Sequence, residues 1–387
     1  MKKLSEKARR HLVRRSKQAL GNKRTHRYVN TFSIKLVWYR NQFWKARILS
    51  PDQNDKFPSR LCFKNNPEET LKAFSKIRKN LHRNNKKPKL WFKPNLRQDS
   101  ILKIKKYTSM EEVEYISTSA ALVLAAEYQR RRSYMSEYAP LIGLGDWKNS
   151  VLVKLHNIGF FKEFSFDLGQ HTLETDDDDV LTVPFYSGSD AAQMQQIDNK
   201  LSKLVDHVSS VSDLPDEMRM ALNNAVGEAA LNAREHAYIA KHDYEYPHVG
   251  LWWATGAASK QSREMVISLY DQGVSIPISY PKLPFFPSLL KNLNMFENDR
   301  ANDYVNDGIL IRTAAKYGKS TRVSKVGGKG LPQIKDAINL CGGGSLMIIS
   351  RGGRYQYEVK DGEENETVDT FPHSIGGTLI EWTVKLP

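Results

Sequence analysis

The sequence is poor in cysteine and has no long apolar run. Cys62 and Cys341 are its two thiols in 387 residues. They lie far apart and lack C-x-x-C spacing, which argues against a disulfide framework or a cysteine-built metal centre. No stretch approaches the ~18 uninterrupted apolar residues that let a helix cross a bilayer. The N-terminus, MKKLSEKARRHLVRRSK, carries the charge of a signal peptide's first region, but no apolar core follows it. These absences predict an intracellular, cytoplasmic protein. With 40% hydrophobic and 26% charged residues the composition is that of a folded chain rather than a disordered one. The length suggests two or three domains, and no internal repeat is visible.

Negative charge is scarce at the front of the chain. Residues 1–108 hold 31 Lys and Arg against 6 Asp and Glu, a net of +25, while residues 109–387 hold 27 against 37, a net of −10. The overall +15 therefore joins two parts of opposite sign. Clustered Lys and Arg release counterions from a phosphate backbone, so the basic third points to a nucleic-acid partner. A solvated tail, or an anchor for the acidic remainder, fits the same charges. A membrane surface is disfavoured, because no amphipathic helix with a bulky apolar face accompanies them.

Residues 1–27 read as a basic arm. Aromatic and β-branched residues over 28–50 predict two strands. Asn66 and Pro67 open a helix over 68–81, with acids first and bases later. A short strand is expected at 87–95, a change from strand to helix within 111–132, and a further helix at 147–158. The run ETDDDD, 174–179, is the best linker, because adjacent aspartates repel and suit neither helix nor strand. Beyond it, helices are expected at 189–208 and 213–237 and strands at 249–254 and 264–270. A long irregular stretch follows, then a helix at 331–340 and strands at 345–350, 355–360 and 378–384. The fold class is α+β.

Four segments carry chemistry. In ALNNAVGEAALNAREHAY (221–238), Glu228 and Asn232 stand four apart on one helix face. A carboxylate and a carboxamide so placed orient a water and offer oxygen to a hard cation such as Mg²⁺; a polar stripe on an amphipathic helix has the same pattern. In VISLYDQGVSIP (266–277), Asp271 ends a hydrophobic strand, where it accepts from an exocyclic amino group, and Gly273 lets backbone approach a flat ligand. SKVGGKGLPQIKDAI (324–338) is a glycine-rich turn into a helix, a phosphate cradle of backbone N–H groups, with Lys329 as a point charge. IGGTLIEWTV (375–384) sets Thr378 at a strand start behind two glycines.

In this order and spacing the four segments resemble the GHKL ATPase superfamily, which includes gyrase-type and chaperone ATPases, histidine kinases and anti-sigma factor serine kinases. The resemblance covers about 180–387. The N box E-x-x-x-N falls on Glu228 and Asn232, and its E-A-x-x-N-A-x-x-H-A-Y cadence is similar to the anti-sigma kinases. The G1 box D-x-G-x-G falls on Asp271 and Gly273, with Ser275 at its second glycine; the G2 box falls on Gly328, Gly330 and Leu331, and the G3 threonine on Thr378. The resemblance implies a two-layer α/β sandwich with a mixed sheet and helices on one face, binding ATP and Mg²⁺. It implies that Asn232 holds Mg²⁺ and that Asp271 binds the adenine amino group with Thr378 in support. The G2 segment, Gly328, Lys329, Gly330 and Leu331, would wrap the phosphates, and Glu228 would be the general base. His236 reads as a structural or supporting histidine. The stretch 278–326 is long for a lid and carries Arg312, Lys316, Lys319, Arg322 and Lys325. It suggests contact with a regulatory protein partner or a second copy of the chain. No histidine phosphoacceptor domain of the long-helix kind precedes the ATPase segment, which argues against a sensor histidine kinase.

In the first half, YISTSAALVLAAEYQRR (115–131) resembles the turn-and-helix of STAS domains, with Ser117 where that family has Asp and Ala120 where it has Gly. This implies an N-terminal STAS-like α/β domain and makes Thr118 or Ser119 the candidate phosphoacceptor. Taken by themselves, these hydroxyls are the expected caps of an apolar helix, and that is the favoured reading. The expected organisation is a basic arm (1–27), a STAS-like domain (28–173), an acidic linker (174–179) and a GHKL-type domain (180–387). Its function would be an ATP- and Mg-dependent switch acting on a protein partner, as an ATPase or a serine/threonine kinase. The alternative is a nucleic-acid-associated ATPase that dimerises with ATP.

Overall fold

The computed structural model describes residues 34–39, 42–48, 57–82, 102–104, 108–135, 141–166, 168, 173, 179–189, 191–209, 215–284, 286–287, 304–317 and 331–385. The first half opens with an antiparallel hairpin, β1 (Ile34–Tyr39) and β2 (Gln42–Ile48). It continues through β3 (Arg60–Leu61), helix α1 (Pro67–His82), β4 (Leu102–Ile104), β5 (Tyr115–Ile116), α2 (Thr118–Met135), β6 (Leu141–Ile142) and α3 (Asn149–Asn157). One sheet runs β4-β2-β1-β6, and β3 with β5 makes a separate parallel pair. The strands and helices expected here are present; the basic arm and the strand expected at 87–95 lie outside the described residues. Helix α1 starts with Glu68 and Glu69, which favour the positive end of the helix dipole, and it buries Leu71, Phe74 and Ile77. Helix α2 is buried almost all round from Ala120 to Tyr128, which a run of Ala, Leu and Val permits.

The second half contains β7 (Val180–Gly188), α4 (Ala191–Ser209), α5 (Asp216–Asn232), β8 (Trp252–Ser259), β9 (Glu264–Asp271), α6 (Asp307–Tyr317), α7 (Leu331–Leu340), β10 (Gly344–Ser350), β11 (Gly353–Lys360), β12 (Glu363–Thr370) and β13 (Thr378–Lys385). They form a seven-stranded sheet of order β12-β11-β10-β13-β9-β8-β7. Every pairing in it is antiparallel, which corrects the expectation of a mixed sheet. The cause is connectivity: β8–β9, β10–β11 and β11–β12 are tight hairpins, and β13 inserts between β9 and β10.

Strand periodicity sorts the sheet's side chains into two cores. Met265, Ile267 and Leu269 of β9, with Ile380, Trp382 and Val384 of β13, join a core with α4, α5, α6 and α7. On α5, Leu222, Ala225, Val226, Ala229 and Ala230 recur at helical spacing and bring it close to Ile334, Ala337 and Ile338 of α7. The opposite face presents Trp253, Tyr270, Met347, Ile349 and Leu379 to the apolar core of residues 57–166. The two halves thus share that core. At the end of the acidic run, Asp179 accepts from Ser259 Oγ (2.6 Å) and from the Gln261 amide (2.5 Å), fastening it to the β8–β9 hairpin.

Several elements were not anticipated, among them the short strands β3, β4 and β6 of the first half and β7 of the second. β12 is an edge strand with the unpromising sequence EENETVDT. It forms because Asp361 and Gly362, both at positive φ, close a two-residue hairpin with β11. Helix α6 lies inside the stretch read as an irregular lid. Its first residue, Asp307, is buried and accepts from Arg351 Nε (2.8 Å) and Nη2 (2.6 Å) and from the Gly352 amide (2.9 Å). Among the described residues no helix is long and apolar enough to cross a membrane.

Candidate functional site

Helix α5 does not stop cleanly at Asn232. It widens into one π turn, Ala233–Ala237, a feature that tends to mark functional sites. The widened turn meets the segment after β9, where the Val274 amide donates to Ala237 O (2.8 Å). Gly273 sits against this turn, where an added Cβ would lie 2.6 Å from Ala237 Cα and 2.7 Å from its oxygen. Tyr238, next along, donates its hydroxyl to Leu251 O and accepts the Gln272 amide (3.0 Å).

A cavity of about 280 Å³ opens between these elements, near the lower end of the usual range of small-molecule sites, ~300–1,000 Å³. Asn232 and His236 form its helical wall, Asp271 and Thr378 its sheet floor, and Leu331, at the start of α7, a further wall. Ser275, Ile276, Ser279, Tyr280, Lys282 and Leu283 close another side. Four of the sequence-selected residues, Asn232, Asp271, Leu331 and Thr378, therefore come together. Gly273 lies beside the cavity and sets the turn. Glu228 is buried on α5 but does not line it. Gly328, Lys329 and Gly330 lie outside the described residues, as do Lys319, Arg322 and Lys325.

Asp271 is nearly inaccessible to solvent, and burial pushes its carboxyl up to about 7. The amides of Gly273 (2.8 Å to Oδ1) and Thr378 partly offset this by favouring the charged form. Behind the floor, the Ser350 and Thr378 hydroxyls are 2.8 Å apart, and Ser350 Oγ accepts the Ile276 amide at 2.8 Å. Ser275 has φ 78°, in the region that favours glycine. It is held there by a hydrogen bond from its hydroxyl to Gly377 O (3.1 Å). The serine thus takes a glycine-like backbone conformation and anchors it through its side chain. Tyr280 is buried against Phe286, with ring centroids 5.5 Å apart, and burial pushes its hydroxyl up to about 12.

Asn232 Nδ2 is buried and has no hydrogen-bond partner among the described residues. An orphaned amide costs free energy unless something binds it, so this atom fits a ligand. A flipped carboxamide presents oxygen in its place, which suits Mg²⁺. Among the described residues no three His, Cys, Asp or Glu side chains gather as a metal cage.

The phosphoacceptor candidates are covered. Ser117 Oγ accepts the Ala120 amide (3.2 Å) and caps α2. Thr118 and Ser119 are only 7% and 1% exposed. Lys154 Nζ donates to Thr118 Oγ1 (3.5 Å), and Ser119 bonds the buried Glu381. Neither hydroxyl is open to a phosphoryl donor while α2 stays on the sheet.

Sequence reasoning missed Tyr280, Lys282, Leu283 and Ser350. The Pro-aromatic cluster SYPKLPFF (279–286) lies within the stretch expected to be a lid. Ser350 ends a strand beside a glycine pair, the same context that singled out Thr378. No protein-family model matches the sequence, and comparison with curated proteins gives no match.

Proposed function

We propose that the chain is an ATP-binding regulatory protein with a GHKL-type C-terminal half, whose Mg-dependent nucleotide state controls a protein partner. The observation that carries this reading is the convergence of four separate segments on one cavity that holds an orphaned amide and a buried carboxyl. Asp271 accepts from the exocyclic amino group of the base, with Thr378 in support. Ile276, Leu283, Leu331 and Ile380 cover its faces and exclude water. Asn232 would hold Mg²⁺ through its carboxamide oxygen. Bound ATP would supply a phosphoryl group, and Mg²⁺ would neutralise its charge. Glu228, one turn before Asn232, is assigned the base by the family resemblance alone, since it does not line the cavity. The burial of Thr118 and Ser119 speaks against these two hydroxyls as acceptors if phosphate is transferred.

Incubation with labelled Mg-ATP tests the reading. Free phosphate identifies a hydrolase, phosphate on protein a kinase, and bound but unchanged ATP a nucleotide-gated binder; no binding overturns the proposal. Glu228→Ala is expected to keep affinity and lose turnover.

A further inference from the structure

The chain neighbours of Asp271 both turn away from the cavity, toward the first half of the molecule. Strand alternation requires this, but what they meet is specific. Gln272 Nε2 donates to Ala126 O of α2 (3.1 Å). Tyr270 meets a buried charge cluster in which Arg78 Nε donates to Glu127 Oε1 (2.9 Å) and Arg130 Nη2 lies 3.4 Å from the same oxygen. The side chains of Arg78, Glu127 and Arg130 are all fully buried.

The cluster does not end within the first half. Its donors reach three successive carbonyls of the turn that leads into β13. Arg78 Nη1 donates to Ser374 O (2.6 Å), the Tyr270 hydroxyl to Ile375 O (3.1 Å) and Arg130 Nη2 to Gly376 O (3.4 Å). That turn has little shape of its own, since Gly376 and Gly377 sit at φ 72° and 150° and glycine is the most permissive residue. It also touches the floor of the cavity: a Cβ on Gly377 would overlap the Asp271 carbonyl oxygen, and Thr378 follows directly.

Stability alone does not account for the cluster. Two guanidinium groups share one carboxylate, and Arg78 Nη2 with Arg130 Nε and Nη1 lack partners among the described residues. Apolar side chains of similar volume are often as stable as a buried ion cluster or more so. What apolar side chains do not do is fix the direction of three consecutive carbonyls.

We propose that α1 and α2 position the floor of the cavity from behind, through Arg78, Glu127, Arg130, Tyr270 and Gln272, so that ligand affinity depends on the docking of the first half onto the sheet. The choice of ATP as ligand rests on the nucleotide reading above; the clamp itself does not. Arg78 and Arg130 are positioning residues, since they act through Tyr270 and the 374–377 turn.

Tyr270→Phe tests this, because it removes only the hydroxyl and keeps the ring packed beside Trp253, 6.0 Å between centroids. Position-resolved hydrogen exchange and Mg-ATP affinity are measured on the full chain beside wild type. The expected result is exchange about tenfold faster over 271–279 and 375–379, with α4 and β12 unchanged, and affinity about tenfold weaker, the size expected for one lost buried hydrogen bond. Unchanged exchange in those two segments overturns the clamp, whatever ATP does. Faster exchange with unchanged affinity, in a protein that binds ATP, overturns the claim that the clamp sets affinity. A wild type that binds no Mg-ATP overturns the nucleotide reading alone, and the exchange result still decides the clamp.

Discussion

Gly273 lies so close to Ala237 that a side chain of even one carbon would overlap it. The contact joins the end of β9 to the π turn of α5 and so sets the distance between Asp271 and Asn232. Because the clash is with backbone, Gly273→Ala must displace one element. It is expected to cost ~1–3 kcal/mol, as overpacking does, and to weaken Mg-ATP binding more than tenfold. Urea unfolding and titration calorimetry measure the two effects.

Asp271 makes stability depend on pH. Its carboxyl is raised from 3.8 to about 7 in the folded state, so in between the folded protein holds a proton that the unfolded chain releases. Its contribution is full below its ordinary value and is lost as pH rises through about 7. Asp271→Asn removes that loss. Relative to wild type the variant is expected to gain on the order of 4 kcal/mol between about pH 4 and about pH 8, read from urea midpoints. An amino group on the ligand favours the ionised carboxylate, so wild-type affinity falls as pH drops below about 7, whereas the weaker binding of the Asn variant stays flat. Tyr238 and Tyr244 also interact with this carboxyl, and burial raises both hydroxyls away from this range. His236 shares the cavity, so the comparison is made in a His236→Gln background.

Ser275 offers a test of two opposing effects. Replacing it with glycine relieves a positive φ, worth ~1 kcal/mol, but loses the hydrogen bond to Gly377 O, worth about the same. Ser275→Gly is therefore expected to leave stability nearly unchanged. Ser275→Ala keeps the backbone cost and loses the bond, and is expected to destabilise by ~1 kcal/mol. Equal unfolding midpoints for the Gly and Ala variants would contradict the account.

Asn232 is expected to trade stability for binding. Its buried Nδ2 has no partner among the described residues, so Asn232→Ala removes an unsatisfied donor. The ligand-free variant should be as stable as wild type or up to ~1 kcal/mol more so, while Mg-ATP binding is lost. Differential scanning calorimetry without nucleotide, paired with binding titration, checks both halves.

Much of the second half was legible in the sequence because its signals are local. The spacing on α5 from Leu222 to Ala230 defines a helix wherever it is placed, and the apolar strands around Ile267, Ile348 and Ile380 announce themselves by β-branched content. β12 was missed because a charged edge strand carries little signal of its own, although Asp361-Gly362 was there to be read. Helix α6 was missed because its anchor, the Asp307–Arg351 pair, joins residues far apart in sequence.

The sequence by itself determined the kinds of residue at the site: an Asp ending a strand, an Asn on a helix, a Thr behind two glycines. Each is fixed by nearest neighbours and periodicity. Only the tertiary structure decided that Asn232, Asp271 and Thr378 face one cavity, that Glu228 does not line it, and that Thr118 and Ser119 are covered. It also decided that the first half grips the floor of the site through Arg78 and Arg130. Those outcomes depend on which faces of helices and strands are buried against one another, a property of packing between distant segments that no local pattern encodes.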